Sequence, residues 1–430
     1  MKRMFLSFVL TLAFIAAVAQ DSEFLQKLKA LPGVSDITAI RRGPYLEKYE
    51  LYITQNLDAN DPKAGTFKQR LVVGFRGFNK PTVMITEGYS ADYALYSYYT
   101  EELTEMLEAN QVFCEYRYFG KSTPEPCNWD YMTVDNSLAD LHNVRVTFGE
   151  ILKGKWLSTG ISKGGSTCTY YRTAYPDDVD ASVAYVAPVS KALEDGRHEK
   201  FLNKTVGTKA DREAMKSVME ELMNRKSRLV PMLDTFCVNR GLKFYIPIDQ
   251  VYDFEVMELE FSLWQWGKGP NGAPRRVDGD VEWFEYLVAE VEPDYFAYPN
   301  STLPFFYQTL REFGYYGYDY KKLGKNASIK SSKDYVKWVM VPEEMRDVKF
   351  SKDLYKRTCA YLKKNDPTHI FIYGANDPWT ASGVAPWLDC SKKKNMKIYV
   401  QPGGSHLARI GNMPAQTKKE IIARVMGWMR

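Results

Sequence analysis

Apolar and polar positions follow a pattern that changes character twice along the chain. From about position 37 to 187, short β-rich runs alternate with helix-period segments. Residues 50–54 and 70–75 read as strands around a polar loop. Residues 82–86 and 112–116 are compact apolar runs separated by a helical stretch at 98–109. Residues 155–159 lead into Gly160, a helix follows and ends at Pro176, and 181–187 makes a further strand. Alternation of this kind predicts a mostly parallel sheet with helices on its faces.

From about 191 to 344 the period lengthens. Stretches 211–224 and 253–266 read as helices, and strand signals are few. The segment is rich in aromatic residues, including Trp264, Trp266, Trp283 and the run Phe305-Phe306-Tyr307. Alternation then returns, with a helix at 353–364, strands at 369–373 and 397–400, and a closing helix at 416–429. There is no internal repeat. The simplest organisation is a sheet domain at 20–190 and 351–430, interrupted by a helical cap insertion at 191–350.

The first residues have a different texture. Lys2 and Arg3 precede an almost purely apolar run at 5–16, followed by Ala17-Val18-Ala19. A basic start, an apolar run too short for a membrane span and a small-x-small site predict a secretory signal at 1–19. Cleavage after Ala19 leaves a mature chain beginning at Gln20, and no later stretch is apolar enough to span a bilayer. The expectation is an exported protein, periplasmic or extracellular.

Composition adds little to this picture. Hydrophobic residues at 45% and charged residues at 26% are ordinary, whereas 30 Tyr and 9 Trp are not. Basic and acidic side chains, 57 against 53, are mixed along the chain, which argues against a nucleic-acid surface. Six cysteines in an exported chain permit disulfides; Cys359 and Cys390, flanking one strand unit, are the first pair to consider, and Cys114 reads as a buried thiol. With no C-x-x-C and no His/Cys cluster, no structural zinc, other metal or organic cofactor is implied.

The strongest chemical signal is Gly160-Ile161-Ser162-Lys163-Gly164, between a strand and a helix. Small residues must flank a serine held on so sharp a turn, where its hydroxyl stands above the sheet and the Lys163 N–H faces a developing oxyanion. Of the four histidines, His142 and His198 come too early for a Ser–acid–His order, and His369 begins a strand at the far end of the sheet. His406, in the loop Gly403-Gly404-Ser405-His406, remains. Asp377, just past a strand, supplies the acid that orients it, with Asp389 in reserve. The loop Thr86-Glu87-Gly88-Tyr89 is placed to give a second oxyanion donor, from the N–H of Tyr89 or Gly88. Glu87 reads either as a buried structural carboxylate or as an anchor for a substrate ammonium.

With these residues in view, the chain resembles the secreted bacterial serine peptidases that release tripeptides from amino termini, often after proline. It is more distantly similar to the lysosomal Pro-Xaa carboxypeptidase and dipeptidyl peptidase II group. The resemblance rests on Leu57-Asp58 with Thr66-Phe67-Lys68-Gln69-Arg70, on the Thr86 loop, and on Glu115-Tyr116-Arg117-Tyr118-Phe119-Gly120-Lys121-Ser122. It continues through Gly160 to Gly165, Tyr175-Pro176-Asp177, Phe306-Tyr307-Gln308, Glu312-Phe313-Gly314-Tyr315-Tyr316, Asp377-Pro378-Trp379 and Ser405-His406. Tyr116 stands where the lysosomal group usually has His.

The resemblance implies an α/β-hydrolase fold with a helical cap over a peptide pocket. It also implies substrates with free amino termini, aromatic packing against proline by residues such as Trp379, an amine anchor at Glu87 or Glu312, and a hydrogen bond from Gln308. Two other readings use the same residues. One is a carboxylesterase or lipase, against which stands the missing H-G-G-G motif. The other is a binding protein on a decayed hydrolase fold, against which stands the retained triad.

Overall fold

A computed structural model of the chain describes residues 21–430; the signal expected at 1–19 lies outside them. Its strands are β1 (Val34–Ala39), β2 (Glu47–Asp58), β3 (Asp61–Phe75), β4 (Thr82–Thr86), β5 (Asn110–Cys114), β6 (Trp156–Ile161), β7 (Ala181–Tyr185), β8 (His369–Gly374) and β9 (Lys397–Gln401). They form one sheet in the order β1-β2-β3-β5-β4-β6-β7-β8-β9. Pairs β1–β2, β2–β3 and β3–β5 are antiparallel, and every pair from β5 through β9 is parallel. This is an α/β-hydrolase fold.

Successive side chains of a strand leave on opposite faces. In β4, Met84 joins one core while Val83 and Ile85 join the other; β8 divides Phe371 and Tyr373 from Ile370 and Ile372 in the same way. Strands covered on both faces are apolar throughout, which is why the central ones stand out in the sequence.

Helices α1 (Glu23–Ala30), α2 (Glu102–Met106), α3 (Val134–Gly149) and α4 (Lys163–Ala174) accompany the first seven strands. Between β7 and β8 the chain runs through α5 (Arg197–Lys204), α6 (Lys209–Asn239), α7 (Ile248–Gln265), α8 (Asp280–Glu290), α9 (Leu303–Gln308) and α10 (Asp353–Lys364), and α11 (Ala415–Met429) closes the chain. No described helix is long and apolar enough to cross a membrane.

Several elements differ from the expectation. The helix expected at 98–109 contracts to α2, because the Glu101 carboxylate accepts from the Leu103 and Thr104 N–H groups and starts the helix there. Glu108, at φ 46°, then turns the chain into β5. That strand ends at Cys114, and the Tyr116 N–H bonds instead to the Tyr89 carbonyl. Helix α6 extends well past Asn224 and through Pro231, since Leu229, Leu233 and Cys237 continue its buried stripe. Strand β1 carries no apolar signal in the sequence because none of its residues is fully buried.

All six cysteines are free thiols. The Cys359–Cys390 bond considered from sequence is not formed: Cys359 is buried in α10 and Cys390 sits half-buried on a later turn.

Candidate active site

Ser162 sits between β6 and α4 with φ 56° and ψ −122°, a backbone conformation that costs an L-residue energy and persists only where its surroundings enforce it. The enforcement is visible. Its N–H donates to the Tyr185 carbonyl at 2.9 Å, and its carbonyl accepts from the Ser166 N–H at 2.9 Å. A methyl group on Gly160 would lie 2.3 Å from the Gly164 carbonyl oxygen, and one on Gly164 would lie 2.7 Å from that of Thr86. Only glycine allows the two arms of the turn to approach this closely. Helix α4 begins at Lys163, and the Ser162 side chain makes no capping bond to it.

Asp377 and His406 come from the loops after β8 and β9. These loops are pinned together: the Ala375 N–H donates to the Gln401 carbonyl at 2.9 Å, and the Asn376 N–H to that of Gly404 at 2.8 Å. Gly374 is again a steric necessity, since a Cβ there would lie 2.2 Å from the Ser405 carbonyl oxygen. The result is a 2.7 Å contact between His406 Nδ1 and Asp377 Oδ2. The other Asp377 oxygen accepts from the Trp379 N–H at 3.1 Å. Asp377 is fully buried and His406 nearly so. From the cap, the Gln265 carbonyl accepts the His406 N–H at 2.9 Å, and Trp266 lies edge-on to the ring. His406 Nε2 is buried with no hydrogen-bond partner. An imidazole held at Nδ1 by a carboxylate has its Nε2 available to take a proton.

The loop after β4 is held from two sides. Lys163 Nζ donates to the Gly88 carbonyl at 2.9 Å, and the Tyr89 N–H donates to Glu87 Oε1 at 3.2 Å. Glu87 Oε2 accepts from the Tyr93 hydroxyl at 2.5 Å. Burial raises the Glu87 carboxyl above its usual range and drives the Lys163 ammonium far below its own.

A cavity of about 440 Å³ opens over Ser162. Tyr89, Phe305, Phe313, Tyr315, Tyr316 and Trp379 form its aromatic walls, and Glu258, Glu290, Glu292 and Asp294 contribute carboxylates. Of the four residues that the resemblance assigns to substrate, only Trp379 lines this space. Glu87 folds back on its own loop. Glu312 accepts the Val134 N–H at 2.7 Å, where α3 begins. Gln308, fully buried, donates to the Tyr116 hydroxyl at 3.0 Å and so ties cap to core. The carboxylates that do face the cavity come from α7, the last residue of α8 and the turn after it. Their one sequence signal is the set of acids at 253, 255, 258 and 260 in an otherwise apolar helix.

The sequence profile of the PS-10 peptidase S37 family matches residues 17–430. The chain belongs to that family. As an S37 member it is a serine peptidase. It is 27% identical over 428 residues to the prolyl tri/tetrapeptidyl aminopeptidase of Streptomyces mobaraensis, covering 95% of this chain and 86% of that one. Over 182 residues it is also 27% identical to the probable serine protease EDA2 of Arabidopsis thaliana, covering 38% of this chain and 37% of the relative. Among solved structures, that of VinJ matches with a TM-score of 0.43 and 15% identity, over 92% of this chain and 99% of VinJ.

Proposed function

We propose that this S37 peptidase is an exported exopeptidase that releases short peptides from free amino termini, with proline preferred before the cleaved bond. The observation that carries the reading is the Asp377–His406 pair, with the His406 ring next to Trp266 and Trp379 of the cavity that a conformationally strained Ser162 also lines.

In this mechanism His406 Nε2 takes the Ser162 hydroxyl proton as Oγ attacks the scissile carbonyl. Asp377 stabilises the imidazolium that results. The Lys163 N–H, at the positive end of α4, receives the oxyanion; the Tyr89 N–H, donated to Glu87 at 3.2 Å, would have to leave that bond to act as a second donor. Collapse of the intermediate passes the proton from His406 to the leaving amine and leaves the peptide as an ester on Ser162. Water, deprotonated by His406, then releases it.

The amino-terminal, tri- or tetrapeptide and prolyl parts of the proposal draw on the name of the Streptomyces relative. The aromatic cavity supports the last of them, because flat rings pack well on a proline ring. The apolar run and Ala-Val-Ala site near the start of the chain support export.

The test uses a chromogenic Ala-Ala-Pro anilide with its amine free or acetylated, and the Ser162→Ala variant. Cleavage of the free form alone, abolished in the variant, supports the proposal. Equal cleavage of both forms overturns the exopeptidase reading. Cleavage of ester substrates only would favour an esterase.

A further inference from the structure

In its buried stretch, 251–264, helix α7 carries four acidic side chains, and two of them are paired with a cation. Asp253 pairs with Lys226 and accepts the Ser328 and Ile329 N–H groups. Glu260 pairs with Lys322. Glu255 is sealed completely, burial raises its carboxyl well above the usual range, neither of its oxygens has a hydrogen-bond partner among the described residues, and it does not line the cavity over Ser162.

Glu258 differs from all three. It is 8% exposed and lines the cavity that Ser162 also lines. Its Oε2 accepts two hydroxyls, from Tyr316 at 2.7 Å and Tyr318 at 2.6 Å. Its Oε1 accepts no hydrogen bond, and no cationic side chain pairs with it among the described residues. Each neighbouring carboxylate has a cation or solvent: Glu290 pairs with Lys268, Asp294 pairs with Arg240 through Oδ2 although its Oδ1 is unpartnered among the described residues, and Glu292 is exposed.

A buried carboxylate without a cation is costly unless something supplies one. Here the tyrosine hydroxyls fix the orientation of the group while satisfying only one oxygen. Tyr295 braces them in turn, with its hydroxyl 3.0 Å from that of Tyr316 and 2.8 Å from that of Tyr315. The free oxygen belongs to the cavity in which a peptide must lie to reach Ser162.

We infer that Glu258 is the anchor for the α-ammonium of the substrate, held in position by Tyr316 and Tyr318. The inference rests on the exopeptidase reading and gives it a molecular ruler: the separation of Glu258 from Ser162 sets how many residues are released. It also explains why neither Glu87 nor Glu312 is needed for this task. Burial pushes the Glu258 carboxyl up to about 7, so an arriving ammonium restores the stabilisation that water no longer provides.

The experiment compares wild type, Glu258→Gln and Tyr316→Phe on the Ala-Ala-Pro anilide with free and acetylated amine, alongside the rate at which a small fluorophosphonate labels Ser162. Loss of one partner of a buried charged pair predicts that Glu258→Gln lowers kcat/KM on the free-amine substrate about a hundredfold, mainly through KM. The preference for the free amine collapses, and labelling keeps its wild-type rate. Tyr316→Phe moves the same ratio in the same direction by several-fold, which keeps the test decisive should the first variant fold poorly. Wild-type preference retained in both variants would place the anchor elsewhere and leave the exopeptidase reading standing. No preference in the wild type itself would remove that reading and the anchor together.

Discussion

Lys163 Nζ donates a 2.9 Å hydrogen bond to the Gly88 carbonyl oxygen, from a position 3.2 Å from the centre of the Tyr116 ring. The rings of Tyr89, Phe119 and Phe313 complete an aromatic enclosure around it. The residue after the proposed nucleophile thus serves twice. Its backbone N–H heads α4, and its side chain fixes the peptide plane of the loop that faces the serine. Because C=O and N–H of a trans peptide point in opposite directions, holding the Gly88 carbonyl also turns the Tyr89 N–H toward the Glu87 carboxylate that accepts it at 3.2 Å.

Lys163→Met keeps the length of the stem and removes this bond. We expect kcat to fall about tenfold, a fraction of the loss seen on deleting an oxyanion donor outright, with KM for free-amine peptides close to wild type. Steady-state kinetics separate the two. A change in melting temperature without a change in kcat would reduce Lys163 to a packing residue.

The backbone at Ser162 leads to a stability prediction. Strain of this kind costs about 1–3 kcal/mol, while the extra freedom of glycine in the unfolded chain returns about 0.5–1 kcal/mol. Ser162→Gly is therefore expected to be about 1 kcal/mol more stable than Ser162→Ala. Both variants are inactive, so denaturant unfolding isolates the backbone contribution.

The pH dependence follows from Glu258. Its carboxyl is raised to about 7 by burial, so the anionic form that holds an ammonium is present above that pH and is lost below it. The groups facing it are the hydroxyls of Tyr316 and Tyr318, with Tyr295 and Tyr315 behind them, Glu290, Glu292 and Asp294 along the cavity, and, beside Ser162, Lys163, whose Nζ is engaged by the Gly88 carbonyl; no cation pairs with it among the described residues. On the alkaline side the substrate amine loses its proton near ~8. We expect kcat/KM for free-amine substrates to peak between these values. Glu258→Gln should flatten the part of the acid limb that an acetylated substrate does not share.

The segment around Arg117 carries part of the family resemblance, yet its charges serve the fold. Arg117 makes two 2.7 Å bonds to Asp140 on α3 and donates to the carbonyls of Asn56, Leu57 and Tyr131. Removing one partner of such a buried pair costs about 3–5 kcal/mol. Asp140→Ala should lower the denaturation midpoint accordingly while activity per folded molecule is retained; chemical denaturation and active-site titration check the two statements separately.

Much of this was legible in the chain because it is local. The serine elbow is a strand, a tight glycine-flanked turn and a helix within a few residues, and Asp377 and His406 each follow a short apolar strand. Periodicity also located α10 and α11 closely, since their apolar stripes are continuous and self-contained. It placed α2 poorly, because the end of that helix depends on one carboxylate, Glu101, turning back on the backbone.

The substrate side was not legible in the same way. Glu87, Gln308 and Glu312 sit in motifs that resemble a substrate site, yet each spends its polar atoms inside the protein: on Tyr89 and Tyr93, on Tyr116, and on Val134. Glu258 lies in a helix whose period announces only burial. What singles it out is the lack of a cation and a pair of hydroxyls from residues roughly sixty positions away in the chain.

The amino-acid sequence by itself determined the central strands of the sheet, the helical insertion and the candidate serine, acid and histidine in that order, because those depend on residues near one another in the chain and on the alternation of apolar faces. Only the tertiary structure decided which carboxylate faces the cavity and which are already engaged. A charge is compensated by whatever packs against it, and in this protein those partners arrive from distant segments of the cap and core.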